Sequence, residues 1–81
     1  MNWTKQSKYH IESLGNKINA TQSVGFSISK SILCGNAIYE LWELPYNNTK
    51  FIYRSKDLKD VKAQAVQYYQ AKLASANSKA A

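Results

Sequence analysis

The stretch Phe26–Trp42 reads FSISKSILCGNAIYELW and decides how the rest of this chain is arranged. From Ser23 to Leu33, apolar residues alternate with serines, which is typical of a strand with one dry face and one solvated face. The dipeptide Gly35-Asn36 suits a two-residue turn, because glycine accepts the positive φ that such hairpin turns require. The stretch therefore predicts a β-hairpin, and the other segments are placed by asking what packs on it.

Two registers are open for the second strand of this hairpin. A two-residue Gly35-Asn36 turn pairs Ile28 with Glu43 and puts Trp42 on the solvated face. A bulged turn, one residue longer, turns the strand over and puts Trp42 inside. The bulged register would bury more apolar area than the two-residue turn, which favours it. The side chains that it would bury are Ile38, Trp42 and Leu44.

Two more strands flank the hairpin in the sequence. Residues 8–14 alternate, with Tyr9 and Ile11 on one face, which indicates a half-buried first strand. A turn is expected directly after it, at Gly15-Asn16. A short fourth strand is expected at 50–54, after a loop that Pro45 opens.

The C-terminal part of the chain predicts one helix, from about residue 56 to 74. Its apolar side chains recur at about 100° per residue and form one arc. A sheet with one dry face needs a cover, and this helix is the only segment that can provide it. The residues after it, 75–81, are expected to fray. At the other end, Trp3 is expected to fold back onto the sheet.

These elements give an α+β fold in one domain over residues 1–81. A four-stranded antiparallel meander, over about residues 8–54, is covered on one face by a single C-terminal helix. With 81 residues, the chain buries only about 60% of the surface that it exposes when unfolded, so its core is small. A small core rarely supports both a pocket and the rigid surroundings that catalysis needs. The expectation is therefore a binding protein and not an enzyme.

The chain is basic, with a net charge of +6. Basic proteins attract nucleic acids, acidic protein surfaces and anionic membranes. However, the ten lysines and one arginine are scattered along the chain and form no dense block. Few arginines also weaken specific base recognition, since arginine is the usual bidentate reader of guanine.

Residues that could do chemistry occur singly. His10 is the only histidine and Cys34 the only cysteine, so no catalytic residue, metal site or cofactor site is predicted. We expect His10 on a solvated strand face and Cys34 at least half-buried beside the turn. The opening residues Met1–Gln6 are too polar for a signal peptide, and no apolar run has membrane-spanning length, so neither an export signal nor a membrane span is expected. The expected location is the cytoplasm, with no membrane partner.

The hairpin and the helix resemble small phage- and prophage-encoded proteins that combine a β-hairpin with a terminal helix. The residues that carry the resemblance are Phe26–Lys30, Gly35-Asn36, Tyr39–Trp42 and Asp57–Ala63. They cover about half of the chain and transfer no catalytic residue. The resemblance implies an accessory protein that acts in the cytoplasm of a bacterial host.

Two functions follow as hypotheses. In the first, the protein binds and modulates a host protein or nucleoprotein machine, and counter-defence of the anti-CRISPR kind is one form of this. In the alternative, it binds nucleic acid through a basic sheet face. Homodimerisation through an edge strand is a third hypothesis. The residues expected to contact a partner are Tyr46, Trp42, Lys30, Lys50, Arg54 and Lys56.

Overall fold

A computed structural model describes the backbone of residues 1–80, and the side chains of residues 1–45 and 47–76. Five strands form one antiparallel sheet in the order β1-β2-β3-β4-β5, and one long helix follows them. The elements are β1 (Thr4–Ser7), β2 (His10–Lys17), β3 (Ser23–Leu33), β4 (Asn36–Glu43), a 3₁₀ turn (Tyr46–Asn48), β5 (Lys50–Ser55) and α1 (Leu58–Ala80). The predicted α+β class is confirmed, whereas the sheet has five strands instead of four.

The additional strand is β1, which pairs antiparallel with β2. Its sequence, TKQS, is polar and every residue is exposed, so hydrophobic alternation could not identify it. Trp3, just before it, is half-buried and packs against the core. This confirms the expectation that Trp3 folds back onto the sheet.

The turn predicted at Gly15-Asn16 is wrong, because β2 continues through both residues. The pairing with β3 shifts between Ser13 and Asn16, and Gly15 has φ +69°. This is a β-bulge, in which glycine takes the left-handed conformation at little cost. Asn16 Nδ2 stabilises the bulge from inside, since it donates to the carbonyl oxygens of Ser13 at 3.1 Å and Val24 at 3.0 Å. The chain reverses later, where Ile18 N donates to Gln22 O at 2.9 Å.

The hairpin of β3 and β4 has neither of the predicted registers. Its two connecting residues are Cys34 and Gly35, with φ of +51° and +78°, and positive φ at both positions marks a type I′ turn. Ile28 therefore pairs with Leu41, two residues from the partner expected for a Gly35-Asn36 turn. Leu41 is fully buried, so the favoured bulged register, with Trp42 inside, is wrong. Cys34 is exposed at the tip and not half-buried.

The helix packs on one of the two faces of the sheet. The helix packs mainly across β3, β4 and β5, on the face that we call the helix-covered face. The buried apolar residues of this layer are Val24, Phe26, Ile28, Leu41, Val61 and Ala65. The opposite face, called the open face, carries the alternate strand residues. They include His10, Glu12, Ser27, Ser29, Glu40, Trp42 and Arg54, as the pairings of β2 to β5 place them.

The helix begins at Leu58, two residues after the expected start, and runs to Ala80 instead of ending near residue 74. Two of its polar contacts with the sheet converge on Glu43. The Glu43 carboxylate accepts a hydrogen bond from Tyr68 Oη at 2.9 Å and an ion pair from Lys72 Nζ at 2.8 Å. Tyr69 Oη also donates to the carbonyl oxygen of Lys17. Within the described residues, no helix has the length and apolar character needed to cross a bilayer.

Candidate functional site

The open face carries a contiguous cluster of aromatic and charged side chains on β4 and β5. We call Trp42, Phe51, Arg54 and Glu40 the aromatic cluster. The rings of Trp42 and Phe51 meet edge to face, with centroids 5.2 Å apart and planes at 73°. The guanidinium carbon of Arg54 lies 5.9 Å from the Phe51 centroid. Phe51 is 46% exposed and Trp42 is half-buried, so the rings are accessible from solvent.

A β-bulge in β5 assembles the aromatic cluster. Leu41 pairs with Tyr53, but the next residue, Trp42, pairs with Phe51, and Ile52 is the additional residue between them. Without the bulge, strict alternation would set Phe51 on the same face as Tyr53, on the helix-covered side. The bulge instead brings Phe51 onto the open face beside Trp42.

The charges of the aromatic cluster balance each other. Arg54 Nη2 lies 3.0 Å from Glu40 Oε2, and the Arg54 side chain is 59% exposed. An exposed pair of this kind contributes little to stability, typically below about 1 kcal/mol. With the Arg54 guanidinium carbon over the Phe51 ring, an arginine and two aromatic rings are presented together.

A second polar group on the open face comprises His10, Ser27 and Glu12. His10 Nε2 and Ser27 Oγ are hydrogen-bonded at 2.6 Å, and Glu12 Oε2 lies 3.5 Å from the same nitrogen. Glu12 is only 6% exposed, and its Oε2 has no hydrogen-bond partner among the described residues. His10, expected on the surface, is half-buried.

This group does not have the geometry of a nucleophilic triad. In a Ser-His-acid triad the carboxylate accepts from Nδ1, which leaves Nε2 to take the serine proton. Here both Ser27 and Glu12 approach Nε2. Among the described residues, no three histidine, cysteine, aspartate or glutamate side chains are placed to hold a metal ion.

Of the five predicted contact residues whose side chains the structure describes, it brings together two, Trp42 and Arg54. Lys30 lies on the helix-covered face, in register with Tyr39. Lys50 begins β5 opposite Glu43, and Lys56 is exposed in the connection to the helix. The side chain of Tyr46 lies outside the described residues.

Sequence reasoning missed Phe51 and Glu40 as members of the aromatic cluster. Phe51 could not be assigned to the open face, since the bulge at Ile52 reverses the face that alternation gives. Glu40 lies two residues before Trp42 and shares its face in every register, so alternation alone could have grouped them. Assigning both to the open face depended on the position of the turn, which fixes the register of β4.

No family model, curated protein or solved structure matches this chain.

Proposed function

We propose that this chain is a non-enzymatic protein-binding module that docks through its open face. The aromatic cluster is the observation that supports this most directly. Aromatic side chains, tryptophan above all, and arginine are enriched at the energetic centres of protein interfaces. Here they occupy one accessible surface on a sheet, and the sheet restricts how far they can move.

The setting we propose is the cytoplasm of a bacterial host, where the module acts as a phage-type accessory protein. It binds a host protein or nucleoprotein machine and modulates it, and counter-defence of the anti-CRISPR kind is one form of that action. The support for this setting is the resemblance of the hairpin and helix to small phage-encoded proteins.

Nucleic-acid binding through a basic sheet face has less support. The only arginine, Arg54, is already paired with Glu40, and the carboxylate of Glu12 lies on the same face. Lys30 lies on the opposite face. A phosphate-binding surface needs cations that are free to neutralise phosphates, and its affinity falls steeply with salt. Filter binding at low salt is the test, and retention of DNA or RNA that is lost in Arg54→Ala would favour this alternative.

The protein-binding proposal is tested by comparative capture from bacterial lysate. The wild-type chain, Phe51→Ala and Arg54→Ala are the baits, with retained proteins quantified by mass spectrometry. Val66→Ala and Lys59→Ala are matched controls, since both residues are exposed on the helix. We expect wild type and both controls to retain one common partner. The amount of that partner retained by Phe51→Ala should be at least about tenfold lower, as for an interface hot spot.

Two results would overturn the proposal. One is that wild type retains no more than an unrelated basic protein of similar size does. The other is a partner whose capture is unchanged in Phe51→Ala and Arg54→Ala, because such a partner would not use the open face. Circular dichroism of each variant checks that its fold is intact.

A further inference from the structure

A cleft of about 180 Å³ opens on the helix-covered face, on the other side of the sheet from the aromatic cluster. It lies between the turn that precedes β2, the middle of β3 and β4, and the first residue of α1. We call its apolar lining residues, Ile11, Ile28 and Leu58, the floor, and His10 also lines the cleft. Ile28 is 2% exposed, so the floor reaches the core of the molecule.

Two lysines and two tyrosines form the rim of this cleft. Lys8 Nζ lies 5.5 Å from the centroid of the Tyr9 ring, and Lys30 Nζ lies 5.9 Å from that of Tyr39. A backbone hydrogen bond joins the turn before β2 to β3 at this cleft, since Lys30 N donates to Tyr9 O at 2.8 Å. A cation over a ring face keeps its full charge, and the contact contributes about 0.5 to 1 kcal/mol at an exposed site. Both lysines thus line the same cleft, and we call the side that they occupy its mouth.

Those ammonium groups are not neutralised by carboxylates. Among the described residues, neither Lys8 nor Lys30 is in an ion pair, and no acidic side chain lines the cleft. The nearby aspartates at the start of the helix are engaged elsewhere. Asp57 Oδ1 accepts from Lys59 N at 3.0 Å, and Asp60 Oδ2 accepts from Tyr53 Oη at 2.6 Å. The mouth is therefore positive above an apolar floor.

The volume limits what can occupy this cleft. A cavity of about 150 Å³ lined by aliphatic side chains accepts a benzene molecule, so about 180 Å³ holds one six-membered ring and a few further atoms. The apolar floor favours the ring, and the two ammonium groups favour an anionic substituent at the mouth. We propose that the cleft binds a small aromatic anion, with its ring on the floor and its carboxylate or phosphate between Lys8 and Lys30.

The test is a titration of the ¹⁵N-labelled full chain, followed by NMR. The probes are phenylacetate and phenyl phosphate, with phenylacetamide as the neutral analogue and inorganic phosphate as the anion without a ring. We expect saturable shifts of the Tyr9, Lys30, Tyr39 and Leu58 amides with at least one aromatic anion. Phenylacetamide and inorganic phosphate should each bind at least about tenfold more weakly. The tighter of the two aromatic anions shows whether the natural ligand carries a carboxylate or a phosphate ester.

Charge-removing variants locate the anionic group. Lys30→Met and Lys8→Met keep an aliphatic stem. Each should weaken binding of the aromatic anion at least about fivefold and leave the affinity for phenylacetamide unchanged. Lys17→Met is the matched control, because Lys17 is exposed and does not line the cleft. Lys8 is exposed in a turn, so Lys8→Met remains informative if Lys30→Met disturbs the fold.

Three results would overturn the proposal. The first is that neither aromatic anion saturates, or that the shifts lie outside the cleft. The second is that phenylacetamide or inorganic phosphate binds as tightly as the aromatic anions. The third is that Lys17→Met weakens binding as much as Lys8→Met, since net charge alone would then explain the attraction.

Discussion

Cys34 is the only non-glycine residue with positive φ among the residues that the structure describes. A side chain in the left-handed conformation costs about 1 to 2 kcal/mol, whereas asparagine tolerates it through local hydrogen bonds. The pair Cys34-Gly35 thus occupies the two positions where hairpins prefer Asn-Gly. The first of them holds a residue with no preference for that conformation.

We therefore predict that Cys34→Asn stabilises the protein. The free energy of unfolding should rise by about 0.5 to 1 kcal/mol, as the new Asn-Gly pair matches the type I′ turn. Urea denaturation under reducing conditions measures it. Cys34→Ser, which removes the thiol without a gain in left-handed preference, should change little. Gly35→Ala should lower stability by about 1 kcal/mol. If Cys34→Asn is neutral or destabilising, the turn is not centred on these residues.

At the level of elements, the sequence predicts some parts of the fold better than others. The strand Ser23–Leu33 was predicted with its observed bounds, because its alternation extends over many residues. The favoured face for Trp42 is wrong, whereas the two-residue alternative puts Trp42 on the solvated face, as observed. The choice depends on which residue takes the left-handed conformation, and cysteine gives no signal for that role. The bulge at Gly15 was misread as a turn, since a lone glycine is compatible with both.

The candidate site shows the same limit. Trp42 and Arg54 could be named from the sequence as contact residues, since both types are frequent at interfaces. That they lie together, with Phe51 between them, depends on the pairing of β4 with β5 and on its bulge at Ile52. That they lie on the open face depends on the Cys34-Gly35 turn. Period-two patterning cannot reveal the bulge or the turn.

The attachment of the helix to the sheet predicts a loss of stability in alkaline solution. Burial and the hydrogen bond to Glu43 raise the pKa of Tyr68, and the bond to the same carboxylate raises the pKa of Lys72. Both groups hold their protons more tightly in the folded chain than in the unfolded chain. Their contribution to the free energy of unfolding is therefore complete below about pH 10 and is lost as the pH rises further. The urea midpoint should be flat from about pH 8 to 9.5 and then fall.

Tyr68→Phe tests the origin of that decline. It should lower stability at neutral pH by about 1 kcal/mol, less than a buried hydrogen bond to a charged acceptor contributes, because Tyr68 is only half-buried. It should also reduce the slope above about pH 10. Tyr9→Phe, at an exposed tyrosine, is the control and should leave the slope as in wild type. An unchanged slope in Tyr68→Phe would show that the contact with Glu43 does not link helix docking to pH.

At the scale of the whole molecule, the β3–β4 hairpin extends beyond the rest of the sheet. β2 pairs with β3 as far as Ser29, and β5 pairs with β4 from Tyr39. Residues 31–38 therefore form a two-stranded arm, and no strand within residues 1–80 pairs with its outer edges. Ile32 and Leu33 on this arm are each 54% exposed. The molecule is elongated, with extents of 49 × 21 × 20 Å.

This shape predicts a gradient of amide hydrogen exchange. Local opening is easiest where few apolar contacts and no flanking strands support the backbone. The hydrogen-bonded amides of the arm should exchange at least about a hundredfold faster than those of Phe26 and Ile28 in the same strand. Exchange followed by NMR measures this residue by residue. Equal protection along the whole of β3 would mean that the arm is covered, for example by a second copy of the chain.

The strand order has a kinetic consequence. Each strand pairs with its neighbour in the sequence, so no pairing has to wait for a long segment of chain to close. Proteins whose contacts are local in sequence fold faster than those built from distant pairings, because less loop-closure entropy is lost before contacts form. On the ribosome, the β2–β3–β4 meander can assemble as it emerges. Docking of the helix comes last, because α1 follows all five strands in the chain.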